Sequence, residues 1–108
     1  MNIVTLAECK ERLSIDFDTK DNEITIMANS IESKLFIGAG IRPNFLSKVQ
    51  SSNLVSETKL ETANYVYNIA KEYVLLKLYL DYYNAHTQLD DMRLTSMMKD
   101  LQVLAVLL

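Results

Sequence analysis

Three aspartates near the N-terminus, Asp16, Asp18 and Asp21, are spaced like the first ligands of a calcium-binding loop. An EF-hand loop also needs a glycine at its sixth position and a bidentate glutamate at its twelfth. The chain has Asp21 and Met27 at those positions, so a calcium site is not predicted. The aspartates instead predict a polar turn, in which Asp21 is the N-cap of the helix that follows.

Gly38 and Gly40 could belong to a dinucleotide-binding loop, which begins Gly-x-Gly after a β-strand. Here the third glycine position holds Pro43, and the residues before Gly38 have the apolar period of a helix. The two glycines therefore predict the end of a helix followed by a turn.

His86 and Cys9 are the sole histidine and the sole cysteine, and most of the chain separates them. A Cys/His nucleophilic pair needs side chains within hydrogen-bond reach, so a surface histidine and a core cysteine are expected instead. Asp90 and Asp91 are adjacent, so on a helix they point in different directions and predict capping instead of shared acid–base catalysis. We expect no enzyme activity, no cofactor and no metal site.

Composition limits the chain to one small domain. Its 108 residues are 49% hydrophobic and 23% charged, which predicts a single globular domain over residues 1–108. The net charge of -3 and the pI near 5.0 argue against a general nucleic-acid binder. A single cysteine favours a reducing compartment, and we expect neither a signal peptide nor a membrane span.

Scarce glycine and proline, together with long stretches of helical period, predict a mainly α fold built as a small four-helix bundle. The first helix begins with the capping box Thr5–Glu8. The second begins at Asp21 and ends at Gly38 and Gly40. Its apolar stripe contains Ile24, Met27, Ala28, Ile31 and Leu35, and its other side, with Asn29, Glu32 and Ser33, is expected to face solvent.

Residues 41–55 lack a clean helical period, contain Pro43, and carry Arg42 and Lys48 without any acid. They predict an exposed, locally basic loop.

A long helix is predicted over about 57–84, and a shorter fourth helix begins near Leu89. The segment from Tyr73 to Tyr83 is apolar or aromatic on nearly every side, so this part of the long helix has to be covered all round.

All six tyrosines lie on the predicted long helix, and the chain finishes in an apolar segment. A four-helix domain of this size cannot enclose a helix on every side, and tyrosine is enriched at protein interfaces. Part of this surface is therefore expected to pack against a neighbouring subunit or a partner. The expected interface residues are Tyr65, Tyr79, Tyr82, Tyr83, Val103, Val106, Leu107 and Leu108, and the expected loop contacts are Arg42 and Lys48.

Two segments carry a resemblance to a known family. The segment from Val4 to Asp18, VTLAECKERLSIDFD, looks like an opening of the form VTLEELKxxLxID, and acidic residues and the helix from Asp21 to Leu35 follow it. The segment from Ile69 to Tyr83, IAKEYVLLKLYLDYY, is similar to a long helix that precedes a shorter final one. In this order the segments resemble the phage head-tail connector family, the DNA-packaging adaptor proteins of long-tailed phages. The similarity covers roughly three quarters of the chain.

The resemblance implies a helical protomer that assembles into a homo-oligomeric ring, commonly of twelve copies. Such a ring joins the portal protein to the stopper or tail-completion protein at the head–tail interface of the virion, after assembly in the host cytoplasm. DNA passes through the channel without sequence-specific binding, and no membrane is involved. Heterologous interfaces would close the ring. An acidic lumen would let DNA slide, because stable attachment depends mainly on neutralised phosphates.

Two other functions remain open. One is a small helical protein–protein interaction or regulatory module that dimerises through its long helix. The other is a nucleic-acid binder that uses Lys34, Arg42 and Lys48, which would bind DNA in a salt-sensitive manner.

Overall fold

The computed structural model describes residues 3–51 and 56–108, and this part of the chain forms five helices without a strand. The mainly α fold predicted from the sequence is confirmed. In chain order the helices are α1 (Leu6–Leu13), α2 (Asp21–Ala39), α3 (Phe45–Ser51), α4 (Glu57–Tyr82) and α5 (Gln88–Ala105).

The long helix α4 forms the centre of the domain, because all four other described helices pack against it. Ala63, Val66, Ala70, Val74 and Leu78 on α4 are fully buried. The apolar segment at its C-terminal half is largely covered within one chain, since Leu75 and Leu80 are buried as well. The expectation that this segment needs cover on every side is met mainly by the protein's own helices.

The predicted caps of α1 and α2 are present with one exception. Thr5 accepts a hydrogen bond from the Glu8 backbone and Glu8 bonds back to Thr5, which completes the capping box. Gly40 ends α2 in the left-handed conformation, at φ 71°. The N-cap of α2, however, is Lys20. Asp21 is the first helical residue, and its carboxylate instead forms an ion pair with Lys10 at 2.9 Å.

The prediction of an exposed loop over residues 41–55 is wrong for the described part of that range. Phe45–Ser51 is a helix, so the bundle has at least five helices instead of four. Ile41, Phe45 and Val49 belong to the core. Phe45 and Val49 are four residues apart and therefore share the inner face of α3. Residues 52–55 of the predicted loop lie outside the described residues.

The long helix is slightly shorter than predicted. It ends at Tyr82 instead of residue 84, and Asn84 adopts a left-handed conformation at φ 49°. The last helix begins at Gln88, one residue earlier than expected, where the Thr87 hydroxyl accepts a hydrogen bond from the Asp90 backbone.

Helix α1 is attached to α4 by ion pairs that its sequence alone does not indicate. The Arg12 guanidinium donates two hydrogen bonds of 2.9 Å to the Glu72 carboxylate. This bidentate contact lowers the pKa of Glu72 and raises that of Arg12. Nearby, Lys71 pairs with Glu8 and thereby lowers the pKa of the Glu8 carboxyl.

Glu32, which was expected to be solvated, is 3% exposed. Its Oε1 accepts hydrogen bonds from the backbone N–H groups of Ile3 and Val4, at 3.0 and 3.1 Å. The side chains of Ile3 and Val4 are themselves buried, and the Tyr67 hydroxyl donates to the Ile3 carbonyl at 3.1 Å. Burial of Glu32 is tolerated because two main-chain donors replace water.

Replacing Glu32 by alanine is expected to destabilise the protein by about 2–4 kcal/mol, because two buried N–H groups would lose their acceptor. Glu32→Gln keeps one oxygen acceptor and should cost less. The matched control is Glu61→Ala, at an exposed position of α4. Urea unfolding followed by circular dichroism measures the free energies, and equal effects at positions 32 and 61 would contradict the role assigned to Glu32.

Candidate interaction surface

Cys9 and His86, the residues that could have formed a catalytic pair, lie in different environments and are far apart in the sequence. Cys9 is 0% exposed on the inner face of α1, and burial raises the pKa of its thiol to about 11. His86 lies in the exposed connection between α4 and α5. Within residues 3–51 and 56–108, no group of three His, Cys, Asp or Glu side chains is arranged to hold a metal ion.

The aspartates of the first turn gather around a lysine. The Lys10 ammonium lies 2.8 Å from the Asp18 carboxylate and 2.9 Å from that of Asp21. These contacts raise the pKa of Lys10 and lower the pKa of Asp18. An ammonium group therefore already supplies the positive charge that the calcium hypothesis assigned to a bound ion.

Three of the predicted interface tyrosines form a cluster where α4 ends. Tyr83 meets Tyr79 and Tyr82 edge to face, with ring centroids 5.1 and 5.0 Å apart. The Tyr83 hydroxyl donates to the Leu13 carbonyl, so the cluster also contacts the end of α1. Tyr79 and Tyr83 remain 40% and 46% exposed, whereas Tyr82 is half-buried.

The predicted apolar C-terminal residues divide into an exposed group and a packed one. Val103, Val106 and Leu107 are 69%, 84% and 59% exposed, and together they are termed the C-terminal patch. Leu108 is half-buried and packs against the hydrophobic core. Three adjacent apolar side chains this exposed on a small protein make the patch a candidate interaction surface.

The two predicted loop contacts, Arg42 and Lys48, lie on one groove of about 430 Å³ between α3 and the end of α5. This basic groove is also lined by Leu108, so the structure brings together residues predicted separately as loop and subunit contacts. Its lining consists of Gly40, Ile41, Arg42, Phe45, Lys48, Val49, Ala105 and Leu108. Lys34 lies on a different groove, with Tyr73, Lys77 and Asp81 among its lining.

The interface predicted from the sequence therefore falls on two ends of a molecule that measures 45 × 30 × 19 Å. A short connection joins α4 to α5, so the two helices run antiparallel and the tyrosine cluster lies near the start of α5. The C-terminal patch and the basic groove lie at the other end of α5. Tyr65, 66% exposed, is on the N-terminal half of α4, toward that second end.

Phe17 is a surface residue that sequence reasoning did not single out. It is 50% exposed between Asp16 and Asp18, in the turn that joins α1 to α2. An aromatic residue between two acids in a predicted polar turn was the available signal, because turns of this kind lie at the surface.

His86 connects the end of α4 to the start of α5 by two charged contacts. Its Nε2 lies 2.6 Å from Asp81 Oδ1, and its Nδ1 lies 2.7 Å from Asp91 Oδ1. Hydrogen bonding to Asp81, and then to Asp91, raises the pKa of His86, while Lys77 opposes this shift. Both ring nitrogens can donate only in the imidazolium form, so that form fits the site best.

Comparisons with known proteins give no relative: no protein family, curated protein or solved structure matches the chain. Among the described helices, none has both the length and the apolar character that crossing a membrane requires.

Cys9 is expected to react with thiol reagents at least tenfold more slowly in the folded protein than in urea, because it is buried and its pKa is about 11. A colourimetric disulfide reagent at neutral pH measures both rates. Equal rates in the folded and unfolded states would contradict the burial of this thiol.

The contribution of His86 to stability is expected to fall as pH rises. Its pKa is higher in the folded than in the unfolded state, so the stabilisation is complete below the unfolded pKa and is lost above the folded one. The difference in unfolding free energy between the wild type and His86→Ala should therefore shrink as pH rises from below the ordinary histidine pKa of 6.5 to well above it. A constant difference across this range would contradict the bridging imidazolium.

Proposed function

We propose that the protein is a structural adaptor subunit of a phage head-tail connector ring. In this role several copies, commonly twelve, join the portal to the stopper or tail-completion protein and form part of the DNA channel. The proposal rests on the two segments that resemble the connector family and on the surface of the described residues. The observation that carries it is the pair of exposed apolar surfaces at opposite ends of the domain.

The C-terminal patch supports an assembly role because exposed valine and leucine side chains gain free energy when a partner covers them. Val103, Val106 and Leu107 are each more than half exposed, although the same chain buries Val66, Val74 and Leu78 of α4 completely. Burial of apolar surface contributes roughly 25 cal/mol per Å². Apolar patches on small proteins commonly mark contacts with other proteins.

A surface at each end is what a ring subunit needs. Two copies that use the same surface form a closed dimer, whereas two different surfaces on each copy allow every subunit to contact a neighbour on either side. The tyrosine cluster and the C-terminal patch are two such different surfaces. The net charge of -3 is compatible with a channel along which DNA slides, because few phosphates would be neutralised.

The alternative of a module that dimerises through its long helix has less support. All four other described helices pack on α4 and cover most of the apolar side chains in its C-terminal half, which leaves mainly its N-terminal half for a second copy. The exposed Tyr65 is a contact that such a dimer could use. A stable dimer at all concentrations, without any larger ring, would favour this alternative.

The mass of the purified protein, measured by light scattering alone and then with portal rings from the same phage, tests the adaptor role. A ring-sized mass or stoichiometric binding to the portal is expected. A monomer or dimer that ignores the portal would overturn the proposal.

Val106→Asp is expected to weaken assembly or portal binding at least tenfold, because a charge would be placed in the C-terminal patch. Val106 is 84% exposed, so the stability of the free chain should change by less than about 0.5 kcal/mol. Gln50→Asp places the same charge at an exposed position of α3 and serves as the control. Binding equal to that of the wild type would remove the C-terminal patch from the interface.

A further inference from the structure

The turn between α1 and α2 and the basic groove carry opposite charges, and each has an apolar component. Phe17 projects from the turn with half of its surface exposed, and an aspartate stands on each side of it. The groove has apolar walls that include Phe45 and Val49, and Arg42 lies on its lining. We propose that Phe17 of one copy inserts into the basic groove of a second copy, so that the chains associate head to tail.

The groove has room for an aromatic side chain. Its volume is about 430 Å³, whereas a cavity of about 150 Å³ can hold benzene. Its walls belong to the edge of the hydrophobic core, so an inserted ring would pack against Phe45 and Val49. Aromatic anchors in apolar pockets supply a large share of binding energy at protein interfaces.

Opposite charges on the turn and on the groove would make the pairing of these two surfaces specific. Asp16 and Arg42 are exposed, and neither forms an ion pair with another described residue. The described lining of the groove includes Arg42 and no aspartate or glutamate, so the groove favours an acidic partner. Insertion of Phe17 would bring Asp16 of one copy close to Arg42 of the other. Complementary charges of this kind set the register and exclude wrong partners.

The same chain cannot make this contact with itself. The turn precedes the first residue of α2 and the groove begins just after its last, so the 19 residues of this helix separate them. At 1.5 Å per residue that distance is about 28 Å. Phe17 lies only four residues before Asp21, and an extended segment of that length reaches at most about 14 Å. A Phe17 side chain in the groove must therefore come from another molecule.

The inference deepens the proposed function and rests on it for the arrangement of copies in a ring. Because the inserting turn and the receiving groove are different surfaces, each copy can contact one neighbour on each side. The tyrosine cluster lies at the same end as the turn, since Tyr83 bonds to the last residue of α1. The C-terminal patch adjoins the groove through Leu108. The contact would therefore bring the two predicted interface surfaces together.

Intermolecular paramagnetic broadening tests the contact directly. A nitroxide is attached to unlabelled protein through Thr19→Cys, at an exposed position next to the turn that leaves Phe17 and both aspartates intact. Cys9 is fully buried, so the reagent labels the introduced thiol selectively. This protein is mixed at millimolar concentration with ¹⁵N-labelled chains that carry no nitroxide. Broadening of the amide signals of Gly40, Ile41 and Arg42 is expected. Absence of broadening there, or broadening elsewhere instead, would overturn the inference.

Substitutions provide a second readout. Phe17→Ala is expected to weaken self-association about 30-fold, because an aromatic anchor is lost. Ile26→Ala is the matched control, since Ile26 is 62% exposed and lies outside both surfaces. Self-association is measured by sedimentation velocity over a range of concentrations. Equal effects of the two substitutions would overturn the inference.

Charge exchange between copies tests the orientation of the contact. Asp16→Arg alone and Arg42→Glu alone should each weaken association about tenfold, because each variant sets like charges against each other in every contact. An equimolar mixture should recover near wild-type association, since each variant then meets an opposite charge on the other. Failure of the mixture to recover would contradict the head-to-tail pairing.

The adaptor role can fail separately from this contact. Groove broadening in a chain that ignores portal rings would support the inference while the adaptor role fails. Rings that assemble on the portal equally well with Phe17→Ala would overturn the inference and leave the adaptor role intact.

Discussion

The need to cover the apolar C-terminal half of α4 determines how the rest of this protein is built. A helix whose C-terminal half is apolar in nearly every direction cannot face water, and the chain has only short segments with which to surround it. Helices α1, α2, α3 and α5 all contact it. The cover is tight, since Val66, Val74 and Leu78 are fully buried. Because these helices are occupied in covering α4, the tyrosine cluster and the C-terminal patch are left exposed at the two ends of the domain.

Polar contacts fix the positions of the covering helices. Burial of apolar surface has little directional preference, so it does not by itself decide how α1 sits on α4. Two contacts fix the position of α1 along its interface with α4. They are the bidentate contact between Arg12 and Glu72 and the ion pair between Lys71 and Glu8. His86 has a corresponding role at the other interface, where it joins Asp81 of α4 to Asp91 of α5. Hydrogen-bonded charges thus give α4 a defined relation to its neighbours.

Features that depend on neighbouring residues could be predicted from the sequence, whereas features that depend on distant ones could not. The Thr5–Glu8 capping box and the stripe of α2 involve residues within one or a few helical turns, and both are present. The burial of Glu32 depends on backbone groups 28 and 29 residues away, which no local pattern reports. Helix α3 has seven residues, too few to display a period, although Phe45 and Val49 at spacing i, i+4 were a usable sign.

The same distinction explains the predicted interface. The sequence allowed the exposure of Val103, Val106 and Leu107 to be predicted, because a domain of this size has too few helices to cover its apolar C-terminal segment. The sequence did not indicate that Tyr82 would be half-buried and that the Tyr83 hydroxyl would bond to α1, because both depend on where α1 packs. Nor did it show that Arg42 and Leu108 would line one groove, since more than sixty positions separate them.

Because Glu32 accepts hydrogen bonds from main-chain N–H groups, it restricts which residues the fold can accept at positions 3 and 4. The side chains of Ile3 and Val4 are buried, so both positions require apolar residues. Leucine, valine, isoleucine or methionine would keep the N–H donors that the Glu32 carboxylate needs. Proline is apolar too, but it has no N–H group. Positions 3 and 4 can therefore accept apolar side chains of many shapes, but neither can accept proline. This restriction originates in Glu32, which lies 28 and 29 residues further along the chain.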